Sequence, residues 1–110
     1  MYKIKKTIEI AGAHFLNLDY KSKCQNLHGH NWIITVYCKS KQLNNNRMVI
    51  DFTDIKSIVN ELDHKNLNDI ISQPTAENIA KYLCDKIPYC YKVKIQESKG
   101  NTACYIKENI

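Results

Sequence analysis

Three histidines carry the first chemical signal in this chain. His14 ends one apolar-rich run, and His28 and His30 open another. In an extended strand, residues two apart point to the same face, so His28 and His30 can present two imidazoles to one ion. Neutral imidazole nitrogen suits Zn²⁺, and three protein ligands with a fourth position open is the arrangement of a catalytic zinc site. Iron is disfavoured, because no carboxylate obviously completes a two-histidine triad. The competing reading is of unrelated surface or core histidines. A His-x-His pair at the head of one strand, with a third histidine ending its neighbour, is harder to dismiss that way.

Three other positions carry chemistry. Cys24 lies four residues before His28 in a polar stretch that reads as an irregular, exposed loop. A thiol near a metal and an imidazole has a lowered pKa and can serve as base or nucleophile. It can equally be a fourth ligand, which would make the site structural. Asp63-His64 is an adjacent carboxylate–imidazole pair, able to form a relay, or to end a helix with a solvated histidine against the dipole. Glu97 falls in the apolar phase of a strand, where a carboxylate needs partners. A guanine-like edge, with an amino group beside a ring N–H, is a natural bidentate partner; otherwise the strand ends at Ile95 and Glu97 is solvated.

The elements that position these groups follow from periodicity. Residues 2–16 alternate apolar and polar, a half-buried strand that carries His14 on its even face, with Gly12 available for a bulge. His28 to Lys39 form a second strand with His28, His30, Trp32, Ile34, Val36 and Cys38 in phase. Asn44-Asn45-Asn46 is turn chemistry, and Met48-Val49-Ile50 is expected to extend or pair with the hairpin. Thr53 caps a first helix through Ile55, Ile58, Val59 and Leu62; Thr75 caps a second through Ala76, Ile79, Ala80, Leu83 and Ile87. Tyr91, Val93 and Ile95 define a strand face, and Thr102–Lys107 a last strand. The order is β-β-α-α-β-β.

Composition bounds the remaining classes. Residues 1–110 form a single domain. The excess of 16 Lys+Arg over 11 Asp+Glu gives +5, but the cations are scattered and only Arg47 is an arginine. No basic arm or stripe marks a nucleic-acid partner, and no apolar stretch is long enough for a membrane. Five cysteines without a CxxC pair exclude a zinc ribbon or thioredoxin-like motif. Free thiols in a reducing cytosol are the simplest reading, with Cys38, Cys84 and Cys104 as small buried hydrophobes and Cys90 uninformative.

Taken together, Ala13-His14-Phe15, Cys24-x-x-x-His28-Gly29-His30-Asn31, Val49-Ile50-Asp51-Phe52, Leu62-Asp63-His64-x-x-Leu67-Asn68, Pro74-Thr75-Ala76-Glu77-Asn78-Ile79-Ala80 and Glu97 resemble the 6-pyruvoyltetrahydropterin synthase / 6-carboxytetrahydropterin synthase family. They stand in family order across nearly the whole chain. The resemblance implies Zn²⁺ on His14, His28 and His30, with Cys24 as catalytic base. Asp63 and His64 would complete the catalytic set across a subunit boundary. Glu97 would anchor the pterin ring, and Thr75, Ala76 and Glu77 would add contacts.

The fold implied is the α+β tunnelling fold, a four-stranded antiparallel sheet with two helices, oligomerising into a β-barrel as two stacked trimers. The substrate implied is 7,8-dihydroneopterin triphosphate, in the cytoplasm. Length and the short Cys24-to-His28 spacing look more like the carboxy synthase of queuosine biosynthesis than the pyruvoyl synthase. A zinc-stabilised, non-enzymatic binding module with Cys24 as a ligand is the alternative of another class. One departure is Arg47, where the family often has Gly; Asn46 is expected to take over the turn.

Overall fold

Strand alternation builds the sheet. In the computed structural model, which describes residues 1–108, β1 (Tyr2–His14) and β2 (His28–Ser40) pair antiparallel over their whole length, from Tyr2 opposite Ser40 to His14 opposite His28. The even residues of both strands face the core, so Ile8, Ile10, Trp32, Ile34, Val36 and Cys38 are buried. Each such large apolar side chain contributes about 1.5–3 kcal/mol by leaving water. Gly12 makes no bulge. It stays in register opposite His30, and a Cβ there would meet the Trp32 indole nitrogen at 3.3 Å and Leu67 at 3.4 Å. Its missing side chain makes room for Trp32, whose Nε1 donates to the Gly12 carbonyl at 3.1 Å.

The first helix, α1, runs Phe52–Asn60 and is capped by Asp51, not Thr53. The Asp51 carboxylate accepts from the Thr53 N–H at 2.8 Å, which places Thr53 already inside the first turn. Met48, Val49 and Ile50 form no strand. The Asn44 side chain accepts from Asn46 and Met48 N–H groups and folds this segment into a turn, while Val49 and Ile50 still bury in the core. Arg47 itself adopts the left-handed φ of +67°, so the turn does not pass to Asn46.

After α1 the chain adds an element that periodicity did not reveal. Lys65–Asn66 form a short strand, β3, parallel to Gly12–Ala13 of β1. The second helix, α2 (Ala76–Lys86), begins as expected on the Thr75 cap, whose hydroxyl accepts from Asn78 N–H at 3.1 Å. β4 (Cys90–Ser98) and β5 (Asn101–Ile106) complete a sheet ordered β3-β1-β2-β4-β5. Four strands are antiparallel as anticipated; the fifth makes the sheet mixed, and it stays open in the single chain. Both helices lie on the even face, α1 against β1 and α2 against β4 and β5.

Two phase errors have local causes. The β2–β4 register shifts between the Tyr37 and Cys38 pairings, leaving Tyr91 as the extra residue. Cys90 therefore faces the core, and the Tyr91 ring turns to Tyr37 and Lys39 on the opposite face. Cys104 pairs with Lys94 on that same helix-free face and is exposed, not buried. Cys38, Cys84 and Cys90 are buried; burial pushes the Cys84 thiol up to about 12, while the hydrogen bond between Cys38 and Cys90 raises Cys90 and lowers Cys38. No helix is long and apolar enough to cross a membrane among the described residues.

Candidate metal centre and active site

Register brings the three histidines together. His14 stands directly opposite His28, and Gly12 opposite His30, so all three imidazoles gather at one end of the β1–β2 pair on the core face. Their ring centroids lie 4.6 Å (His14–His28), 5.2 Å (His14–His30) and 4.9 Å (His28–His30) apart. The Trp32 ring packs edgewise beneath His14 and His30 at 4.9 and 5.1 Å.

Hydrogen bonds select the ring nitrogens. Nδ1 of His14 donates to the Pro74 carbonyl at 2.7 Å, and Nδ1 of His28 to the Asn26 carbonyl at 2.7 Å. A carbonyl only accepts, so each Nδ1 carries the proton and each Nε2 is a free lone pair, the form a metal takes. Burial lowers the pKa of His14, against the raising effect of the Pro74 carbonyl, and so favours its neutral form. Nε2 of His14 and of His30 are buried with no hydrogen-bond partner among the described residues. Orphaned buried nitrogens are costly, and a cation between them resolves that cost. The donor set thus fits a zinc ion.

A carboxylate does join the group, contrary to expectation. Glu97 Oε1 lies 3.1 Å from His30 Nε2 and 3.6 Å from His14 Nε2. β4 continues through Glu97 in the core phase of Val93 and Ile95, and Glu97 is the unpaired residue of a bulge between the Gln96–Thr102 and Ser98–Asn101 pairs. The ligand atoms of His14, His28, His30 and Glu97 all lie within 4.8 Å of one another; among the described residues Cys24 is not in the group. Glu97 also lines a cavity of about 370 Å³ with Ala76, Glu77, Gly100 and the start of β5. Thr75 is the cap at the entrance to that helix, its hydroxyl engaged with Asn78.

Cys24 sits half-buried on a single 3₁₀ turn, Lys23–Gln25, closed by a Ser22/Gln25 capping box. The loop is therefore ordered locally, not irregular. The Leu16 N–H donates to the Cys24 carbonyl at 2.8 Å, tying the turn to the chain just beyond His14.

Asp63 and His64 do pair, with Oδ2 of Asp63 3.1 Å from Nδ1 of His64. Oδ1 of Asp63 accepts from the Ala11 N–H at 2.9 Å. That backbone bond, with His64 second, holds the Asp63 carboxyl below the usual range. His64 has φ +58° and its own N–H bonds the Ala11 carbonyl. Its side chain is 81% exposed. It borders a groove of about 540 Å³ that also takes in His30 and Asn31 but not Cys24. One chain thus assembles the histidines with Glu97, and Asp63 with His64; among the described residues Cys24 is not one of the metal-site group.

Sequence reasoning missed the supports. Pro74 and Asn26 act through main-chain carbonyls, which leave no side-chain signature. Asn68 and Gln73 bind the backbone of Phe15 and Asn17; Asn68 stands in a recognisable motif, but nothing in its spacing names its partner.

A family model described as 6-pyruvoyl tetrahydropterin synthase matches residues 3–108. The chain belongs to that family. A protein of Archaeoglobus fulgidus assigned as a 6-carboxy-5,6,7,8-tetrahydropterin synthase is 48% identical over 89 residues, covering 74% of this chain and 76% of that one. The 6-pyruvoyl tetrahydrobiopterin synthase of Homo sapiens is 33% identical over 132 residues, covering 94% and 90%. The solved structure of Caenorhabditis elegans 6-pyruvoyl tetrahydropterin synthase superposes with a TM-score of 0.76 at 25% identity, covering 97% of this chain and 96% of that one. For two Pyrococcus relatives the match spans 40% of their length.

Proposed function

We propose that this chain is a zinc-dependent 6-carboxy-5,6,7,8-tetrahydropterin synthase of queuosine biosynthesis. It converts 7,8-dihydroneopterin triphosphate and one water to 6-carboxytetrahydropterin, acetaldehyde and triphosphate. The observation that carries the reading is the convergence of three imidazoles, those of His14 and His30 with orphaned buried nitrogens, beside the Glu97 cavity. In this reading His14, His28 and His30 hold the zinc. When bound, the ion supplies Lewis-acid stabilisation of negative charge developing on substrate side-chain oxygens.

The chain's own residues divide the remaining work. Glu97 accepts from the pterin amino group and ring N–H, fixing the ring in the cavity. Ala76 and Glu77, just past the Thr75 cap, border the same space. Cys24 moves the side-chain protons as general base, and Asp63 holds the His64 imidazole in one tautomer for the complementary transfer. As the family resemblance implies, the reading places the complete set between subunits. Absence of Cys24 from the ligand group speaks against a binding module in which Cys24 is the fourth zinc ligand.

The carboxy product is favoured by the 48% identity to the Archaeoglobus relative. The 6-pyruvoyl product is the second reading, supported by the 33% identity of the human relative. Mass spectrometry of products formed from 7,8-dihydroneopterin triphosphate separates them. Acetaldehyde with 6-carboxytetrahydropterin is the expected result. A 6-pyruvoyl product replaces the first reading by the second, and untouched substrate with zinc-loaded protein overturns both.

A further inference from the structure

We infer that Glu97 is a fourth ligand of the metal while the pterin cavity is empty, and that it leaves the metal when a pterin ring arrives. This rests on the pterin reading above for the identity of the ring. Two ligands bound tetrahedrally at about 2.0–2.1 Å stand roughly 3.3–3.4 Å apart. Glu97 Oε1 is 3.1 Å from His30 Nε2 and 3.6 Å from His14 Nε2, on either side of that value. Yet neither nitrogen has a hydrogen-bond partner among the described residues, so the carboxylate does not satisfy them as an acceptor. Three neutral imidazoles and one carboxylate around a divalent ion satisfy every member of the group.

The same carboxylate borders the cavity formed with Ala76, Glu77 and Asn101. A bidentate grip on a pterin edge uses both carboxylate oxygens, so the two engagements exclude each other. The bulge at Glu97 frees it from strict strand pairing. Four protein ligands close a zinc site and three open it. Recognition of the ring would therefore open the coordination position that the substrate side chain needs, and the resting site would be shielded from other ligands. Linkage requires that a ring without a side chain weaken metal binding, and the metal weaken ring binding, by one common factor.

Zinc affinity is measured by chelator competition on the metal-stripped full chain and on Glu97→Gln, with and without unsubstituted pterin, which carries the ring edge but no side-chain hydroxyls. Co²⁺ in place of zinc reports the ligand set through its visible absorption. Glu97→Gln is expected to bind zinc at least about tenfold more weakly, the scale of a lost metal-site partner. Pterin is expected to weaken zinc binding to the unaltered chain and shift its cobalt spectrum toward that of Glu97→Gln. The pterin arm needs no variant, so a misfolded Glu97→Gln does not shelter the idea. Tight pterin binding with unchanged zinc affinity and an unchanged cobalt spectrum overturns the inference and leaves the pterin reading standing. No pterin binding by the unaltered chain overturns the exchange together with that reading.

Discussion

The side-chain amide of Asn68 takes both backbone polar groups of Phe15, accepting from its N–H at 2.8 Å and donating to its carbonyl at 2.9 Å. Gln73 does the same for Asn17 at 3.0 and 2.9 Å. Two side chains thus act as a surrogate strand just past the end of β1, on either side of the Leu16 bond to Cys24. Asn68→Ala leaves the part-buried Phe15 groups without that partner, at a cost of about 1–3 kcal/mol. Urea denaturation of the metal-free chain is expected to register that loss, and zinc retention to weaken with it. An unchanged midpoint would mean that water replaces the amide fully.

Substitutions at His28 and Cys24 are expected to part metal from turnover. His28→Ala should strip zinc and activity together. Cys24→Ala should keep zinc and lose about 10²–10⁴ in rate, the range of a general base. Full zinc occupancy in His28→Ala would sink the ligand set, and zinc loss in Cys24→Ala would return Cys24 to the role of ligand.

Asp63 predicts an acid limb in stability. Its folded pKa is depressed, chiefly by the Ala11 N–H and then by His64. Its contribution is present above the unfolded carboxyl value of about 3.9 and is lost as pH falls through the lower, folded value. Asp63→Asn keeps an oxygen for Ala11 but cannot ionise, so its stability should fall less steeply than the parent's below that point. Parallel urea midpoints from neutral to acid pH check this; parallel curves would remove Asp63 from the linkage.

Open sheet edges predict assembly. β3 covers only Gly12 and Ala13 of β1, leaving the outer edge of β1 toward Tyr2 without a strand, and the outer side of β5 is likewise unpaired among the described residues. Unpaired edges invite strand addition. Sedimentation is expected to give a homo-oligomer, a hexamer of two trimers. A stable monomer with full activity would refute both the assembly and the shared catalytic set.

Much of this was legible from local rules. Alternation placed His14, His28, His30 and Glu97 in core phase, because successive strand residues must face opposite ways. The Thr75 cap was legible because a short oxygen-bearing side chain meets the free N–H groups of its own helix start. Asp51 displaced the expected Thr53 because capping depends on which residue leaves helical geometry, and apolar spacing does not fix that residue.

Alternation assigns a face but not a place along the sheet. Only the pairing of Ile33 with Gln96 carries Glu97 to the histidine end, and only the register shift near Cys38 turns Tyr91 away from the core. β3, too short for any periodicity, exists because β1 offers it an edge. The contacts of Pro74 with His14 and of Asn68 with Phe15 span 60 and 53 residues. Such distant partners are chosen by how the helices and strands bury their apolar faces together, a global balance that no local window of sequence contains.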